Sequence, residues 1–235
     1  MASNASPRRG SSAGVLKRWL GVLVALALWP VLAGYTVAFV HFLASIPTVT
    51  AAQLAFLLGA TVYLSLHTII GKPLKLYVFG HELMHAVAMW CSGGQVKAFK
   101  VSAKGGSVSG TKTGLFIALA PYLIPTFSVV VTVGYLVAGW FWDVRSYAPW
   151  FYGLLGGTLA FHLAFTGEFV KTRQPDLIES GRLLSLTLIY WTNLALVALT
   201  VALVTPPMQF WHYLADGYAH SAGLYAAIAR QLFSA

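Results

Sequence analysis

The chain has 235 residues, 58% of them hydrophobic and only 9% charged, where a soluble domain carries roughly a quarter charged residues. Too few polar side chains remain to cover a water-facing surface, which excludes a sizeable soluble domain and predicts an all-α polytopic membrane protein in a lipid bilayer. The formal net charge of +9 comes from basic residues set between apolar runs, where the positive-inside rule and anionic headgroups account for them, so nucleic acid is not an expected partner.

In chain order, residues 1–14 are small, polar and basic, with Arg8 and Arg9, and read as a disordered cytoplasmic tail. Lys17 and Arg18 open the first apolar run, which continues to about residue 43 and is kinked by Pro30. It exceeds the roughly 7–15 residues of a signal-peptide core and reads as an uncleaved span. Further apolar runs cover about 52–70, 76–92, 115–141, 149–170 and 183–205. Most approach the roughly 20 residues a helix needs to cross the hydrocarbon core, so five to six apolar helices are expected. Between 93 and 114 the character changes. Gly93-Gly94 ends a helix, 95–104 is β-prone, and Gly105-Gly106 makes a turn before a return over 107–111, which predicts a small β-hairpin at the membrane surface. Residues 15–205 then form one transmembrane domain. Residues 206–235 follow Pro206-Pro207 and mix Trp211, His212, Tyr213 and Tyr218 with small residues, the pattern of an interfacial helix. The single Cys91 excludes an internal disulfide.

Charge also bears on topology. If all six runs crossed from a cytoplasmic N-terminus, Lys97, Lys100, Lys104, Lys112, Lys171, Arg173 and Arg182 would lie outside, against the positive-inside rule. A 76–92 segment that enters and returns without a net crossing brings them inside with Lys72 and Lys75. Irregular backbone at depth is allowed where protein or a water-filled cavity surrounds it. The expected setting is therefore a multi-pass protein, of the bacterial cytoplasmic membrane, with its N-terminus cytoplasmic.

Within that segment stands Gly80-His81-Glu82-Leu83-Met84-His85-Ala86. Residues i and i+4 share a helix face, so His81 and His85 can aim both imidazoles at one ion. Glu82 can reach an attacking water without ligating, the arrangement of zinc-dependent peptide hydrolysis. The chain holds 7 His and only 6 acids, and an acid between two His in an apolar helix is costly unless it has a function. The plainer alternative makes the two His interhelical hydrogen-bond partners around a protonated Glu82.

A catalytic zinc has three protein ligands and one open position. Asp176 follows Gln174-Pro175, where a proline frees backbone and lets a side chain turn inward, and is the favoured third ligand. Glu179 is the alternative, with His162 and Glu168 behind it; Asp176 as an N-cap of the last apolar helix is the structural option. His162 and Thr166 share a helix face and either pack in the core or border the cavity, donating to a substrate carbonyl or to Asp176.

These residues resemble the site-2 protease family of intramembrane zinc metalloproteases. The resemblance rests on His81-Glu82-Leu83-Met84-His85-Ala86 in an apolar helix, Gly93-Gly94, the β-like stretch 95–111, Ala120-Pro121-Tyr122 in a further span, and an acid near the start of a later one. It covers about residues 60–190. It implies Zn2+ held by His81, His85 and a carboxylate, Glu82 as general base, and cleavage of a membrane protein substrate, with the post-motif strands receiving the substrate as an added strand. The family's third-ligand segment is Asn-Pro followed by Leu-Asp-Gly. Here Gln174-Pro175-Asp176-Leu177 stands in its place, and Ile178-Glu179-Ser180-Gly181-Arg182 is the other candidate. The expected function is that of a zinc metalloendopeptidase acting in regulated intramembrane proteolysis. A catalytically inactive protease-like scaffold and a metal or proton transporter are the alternatives, the last predicting ionisable groups spread over several spans.

Overall fold

The computed structural model describes residues 12–102, 105–179, 181–205 and 209–233. Residues 1–11 of the expected tail and Pro206-Pro207 lie outside the described residues, and a helix begins at Ser12, inside the stretch expected as tail.

The chain is mostly helical with one two-stranded antiparallel sheet. Helices α1 (Ser12–Ala27) and α2 (Trp29–Ala44) meet at Leu28, with Pro30 in the first turn of α2, where a missing N–H costs nothing. α3 (Ala51–Ile69) starts at a capping box: Gln53 N–H donates to Thr50 Oγ1, and Thr50 N–H to Gln53 Oε1. α4 (Leu74–Cys91) carries the His-Glu segment. It ends on Gly93 at φ +70°, with Gly94 N–H donating to the Met89 carbonyl and Gly93 N–H to that of Trp90, a Schellman cap. Lys112 adds its ammonium to the Ser92 carbonyl.

Strands β1 (Val96–Ser102) and β2 (Gly105–Gly110) form the hairpin, with Phe99 opposite Val108 and a bulge between Val96 and Ala98. Gly105 and Gly106 were expected in the turn. Instead they open β2, paired with Ser102 and Val101, because Gly105 takes φ +140° and Gly106 fits against α4 where a side chain cannot.

The apolar run 115–141, expected as one span, is two helices: α5 (Leu115–Leu123) and α6 (Thr126–Phe141), bent by 70°. Pro125 disfavours helical backbone at Ile124, which is extended at φ −116° and ψ 115°. After a short 3-10 turn come α7 (Ala148–Phe169), α8 (Pro175–Glu179), α9 (Arg182–Val204) and α10 (Phe210–Phe233). α3 and α7 approach through glycine: a Cβ on Gly59 would fall on the Gly153 carbonyl, and one on Gly156 on the Phe56 carbonyl. α10 runs antiparallel along α2, with Gly217 against Tyr35, Gly34 against Ser221, and the Tyr225 hydroxyl on the Ala27 carbonyl.

Three stretches among the described residues are long and apolar enough to cross a membrane: Arg18–Ala44, Ala51–Ile69 and Arg182–Val204. A fourth appears if the bent pair Leu115–Leu123 and Thr126–Phe141 is one span. This is fewer than the five to six apolar runs of the sequence. α7 reaches 22 residues, but its glycines, His162, Thr158, Thr166 and Glu168 lower its hydropathy.

Candidate metal centre

The fold brings two elements to one point. α4 supplies His81 and His85 one turn apart, and α8 supplies Asp176 across 91 residues of chain. The two imidazole Nε2 atoms lie 3.2 Å apart, and Asp176 Oδ2 lies 3.5 Å from each. The side chains are largely buried, at 11%, 13% and 26% exposure, and the three form a group that could hold a metal ion.

The second ring nitrogens set the direction of the first. His85 Nδ1 is 2.8 Å from the Ile117 carbonyl. A carbonyl only accepts, so Nδ1 carries the proton and Nε2 presents its lone pair to the cluster. His81 Nδ1 is 3.1 Å from the Tyr77 hydroxyl, and Tyr77 is itself fixed by stacking on Phe165 and Phe169. With the Tyr77 hydroxyl accepting from His81 Nδ1, two lone pairs and an anionic oxygen converge, a donor set suited to a borderline divalent cation. A four-coordinate zinc with bonds of roughly 2.0–2.2 Å holds its ligand atoms about 3.4 Å apart, close to the triangle present here.

Glu82 stands beside this triangle without joining it. It is buried, accepts no hydrogen bond from the described residues, and lies under β2, where a Cβ on Gly106 would meet its Cγ and Oε1. A cavity of about 780 Å³ opens over the cluster, with Glu82 and Asp176 in its wall. Gly106 to Gly110 of β2 line one side, and Leu20, Gly21 and Val24 of α1 another. β1 pairs with one edge of β2.

Other expected residues fall elsewhere. Asp176 does not cap α9, whose N-cap is Gly181; it sits in the first turn of α8. Glu179 ends α8, and its side chain lies outside what is described. Glu168 is held by Lys72 at 2.7 Å and His67 at 3.1 Å, away from the cluster. His162 is buried and donates from Nε2 to Asn193 Oδ1 at 3.0 Å, so it meets neither Asp176 nor the main cavity. It lines a separate cavity of about 20 Å³ that His81 also borders. Thr166 is buried nearby and lines neither.

Two supporting residues, Tyr77 and Asn193, went unread in the sequence, and Tyr122 was read only as part of Ala120-Pro121-Tyr122. Tyr77 stands one turn before His81, a spacing that could have been noticed. Asn193 joins His162 to the Tyr122 and Ile189 carbonyls at 2.9 and 2.8 Å; a lone amide in an apolar run was its signal. The Tyr122 ring stands edge-on to His81, and its buried hydroxyl has no hydrogen-bond partner among the described residues. Comparison with protein-family models, curated proteins and solved structures finds no match to this chain.

Proposed function

We propose that this chain is a zinc metallopeptidase of the membrane that hydrolyses a peptide bond in a membrane-embedded or membrane-adjacent substrate. One observation carries the reading: an imidazole–imidazole–carboxylate triangle with sides of 3.2, 3.5 and 3.5 Å, next to an acid that is not part of it. His81, His85 and Asp176 would hold the ion, leaving a position open to the cavity. Zinc, when bound, supplies a Lewis acid for the scissile carbonyl and lowers the pKa of water to about 7.

The chain's own residues supply the rest. Glu82 takes a proton from the attacking water as the water oxygen bonds to the carbonyl carbon. It returns that proton to the amine nitrogen as the C–N bond breaks. Without a hydrogen bond from the described residues, the carboxylate is able to do both. The edge of β2 that lines the cavity supports entry of the substrate as an added strand, with main-chain pairing that is indifferent to side chains. A helical substrate has its carbonyls hydrogen-bonded and must unwind first.

The membrane setting is supported by the three or four long apolar stretches, and by the exposed Leu57, Leu58, Val130, Val133 and Leu136 on α3 and α6. Such surface is unfavourable in water and natural against lipid.

Glu82→Gln tests the reading, assayed on detergent-purified protein with transmembrane peptides. Removing a general base should lower cleavage about 10²–10⁴-fold while zinc content is unchanged. His81→Ala should lose both cleavage and the ion at this cluster. Cleavage by Glu82→Gln at the wild-type rate, or a wild type that binds zinc and cleaves nothing, overturns the assignment.

A further inference from the structure

A second group of metal-ligating side chains lies elsewhere in the fold. His41 near the end of α2 faces Asp216 and His220 of α10. Asp216 Oδ2 is 3.3 Å from His41 Nδ1, and Asp216 Oδ1 is 3.1 Å from His220 Nδ1, a nitrogen that also faces the Asp216 backbone carbonyl at 2.9 Å and would give up that contact and its proton to ligate. The two rings stand 5.2 Å apart at 66°. One ligand atom from each residue falls within 4.8 Å of the others. We propose that His41, Asp216 and His220 form a second transition-metal site that clips α10 to α2.

The chemistry favours an ion of borderline softness such as Zn2+ or Ni2+, because imidazole and carboxylate together suit these over Mg2+ or Ca2+. Asp216 and His220 stand at i and i+4, on one face of α10, so the helix pre-sets two of the three ligands. His41 arrives from the neighbouring helix, so an ion held by all three fixes the register of the pair. The side chains are 59%, 38% and 35% exposed, which leaves the site open to ions and to water as further ligands.

The location adds a reason for a clip. Gly21 lines the first cavity and His41 is 20 residues further along the stretch Arg18–Ala44. At 1.5 Å per residue that separates His41 from the wall of the first cavity by roughly 30 Å along the helix axis. Among the described residues α10 is not one of the stretches apolar enough to cross a membrane alone, and it is seated by close glycine contacts together with Tyr213, which is buried against Tyr35, Phe39 and Phe42 of α2. The ion would tie down the first half of a helix whose packing depends on register. The inference does not rest on the proposed hydrolysis.

The test counts metal in the untagged full-length chain, stripped with chelator, reloaded with Zn2+ and desalted. Wild type should hold about two equivalents per chain, and His81→Ala and His220→Gln about one each, as the one-ion-per-cluster arithmetic requires. Helical circular dichroism, and retention of the ion at the first cluster, show that His220→Gln and His41→Gln remain folded. Zn2+ should also raise the unfolding midpoint of His81→Ala, and this shift should vanish in His81→Ala/His220→Gln, since an ion stabilises only the state that binds it. Equal zinc counts in wild type, His41→Gln and His220→Gln overturn the second site, whatever His81→Ala does. Should His81→Ala keep the wild-type count while His220→Gln loses one ion, the first cluster fails and the second stands.

Discussion

His81, His85 and Asp176 on one side, and His41, Asp216 and His220 on the other, use the same three side chains in the same ratio. In the first, the imidazoles are one turn apart on α4 and the carboxylate comes from a distant helix. In the second, a carboxylate and an imidazole share a turn of α10 and the other imidazole is the distant partner. The first triad is largely buried, sits under a cavity of about 780 Å³, and has Glu82 and a strand edge beside it. The second is more open, with His41 exposed and Asp216 and His220 half-buried, and its acid among the described residues is the one that would ligate. A donor set therefore specifies that an ion can be held; the acid outside the set, the cavity and the strand specify chemistry on a substrate.

The sharpest way to break this distinction is to remove the carboxylate from each. Asp176→Ala leaves two imidazoles, and under the proposed hydrolysis it should lower cleavage by about 10³-fold or more, as loss of a ligand strips the ion and its Lewis acidity. Asp216→Ala should leave cleavage within about twofold, since surface changes away from the reacting groups are nearly neutral. Peptide cleavage with zinc counted on the same samples checks both. If Asp216→Ala silences the enzyme as thoroughly as Asp176→Ala, the division between a chemical and a structural cluster is wrong.

A smaller effect probes the strand. Gly106 lies where a Cβ would strike Glu82 Cγ and Val78 Cγ1. Gly106→Val forces either the hairpin away from α4 or the Glu82 carboxylate out of position. A misplacement of about 1 Å can cost on the order of 10²-fold in rate. Cleavage should fall about 10- to 100-fold with zinc content unchanged. Loss of zinc in this variant would mean that the hairpin holds the ligands and does not merely cover Glu82.

How much of this was readable beforehand follows from the range of each interaction. The His-Glu segment, its helix, the Gly93-Gly94 stop and the hairpin are local: spacing and glycine placement encode them. Asp176 was favoured because Pro175 marks a break, and the structure brings it to the two imidazoles, yet no spacing rule could measure a gap of 91 residues. The 70° bend between α5 and α6 was missed although Pro125 stood in view, because continuous hydropathy outweighed a single breaker. Of the two roles left open for His162, the structure shows the packed, hydrogen-bonded one. A helical face tells which residues share a side, not which neighbour that side meets, and it meets Asn193.

Asn193 gives the last and smallest test. Its amide donates to the Tyr122 carbonyl on α5 and to Ile189 on its own helix, while its oxygen accepts from His162 on α7. α5 in turn presents the Ile117 carbonyl that orients His85, and the Tyr122 ring that stands against His81. The first cluster is thus braced through two layers. Among the described residues the second has only the backbone carbonyl of Asp216, which faces His220 Nδ1 at 2.9 Å. Asn193→Ala leaves a buried imidazole N–H and a carbonyl unpaired, which should cost about 1–3 kcal/mol of stability. A lost partner one layer out from a metal ligand typically weakens metal affinity about 10- to 100-fold. Asn193 is a layer further away, so a loss of about three- to tenfold in zinc affinity at the first cluster is expected on the same scale. The second cluster should be unmoved. Zinc titrations on Asn193→Ala in the His220→Gln background isolate the first ion, and thermal unfolding reports the stability. A lowered midpoint with unaltered zinc affinity would mean that Asn193 only packs α5, α7 and α9 together, and that the ligands are oriented by α4 and Ile117 alone.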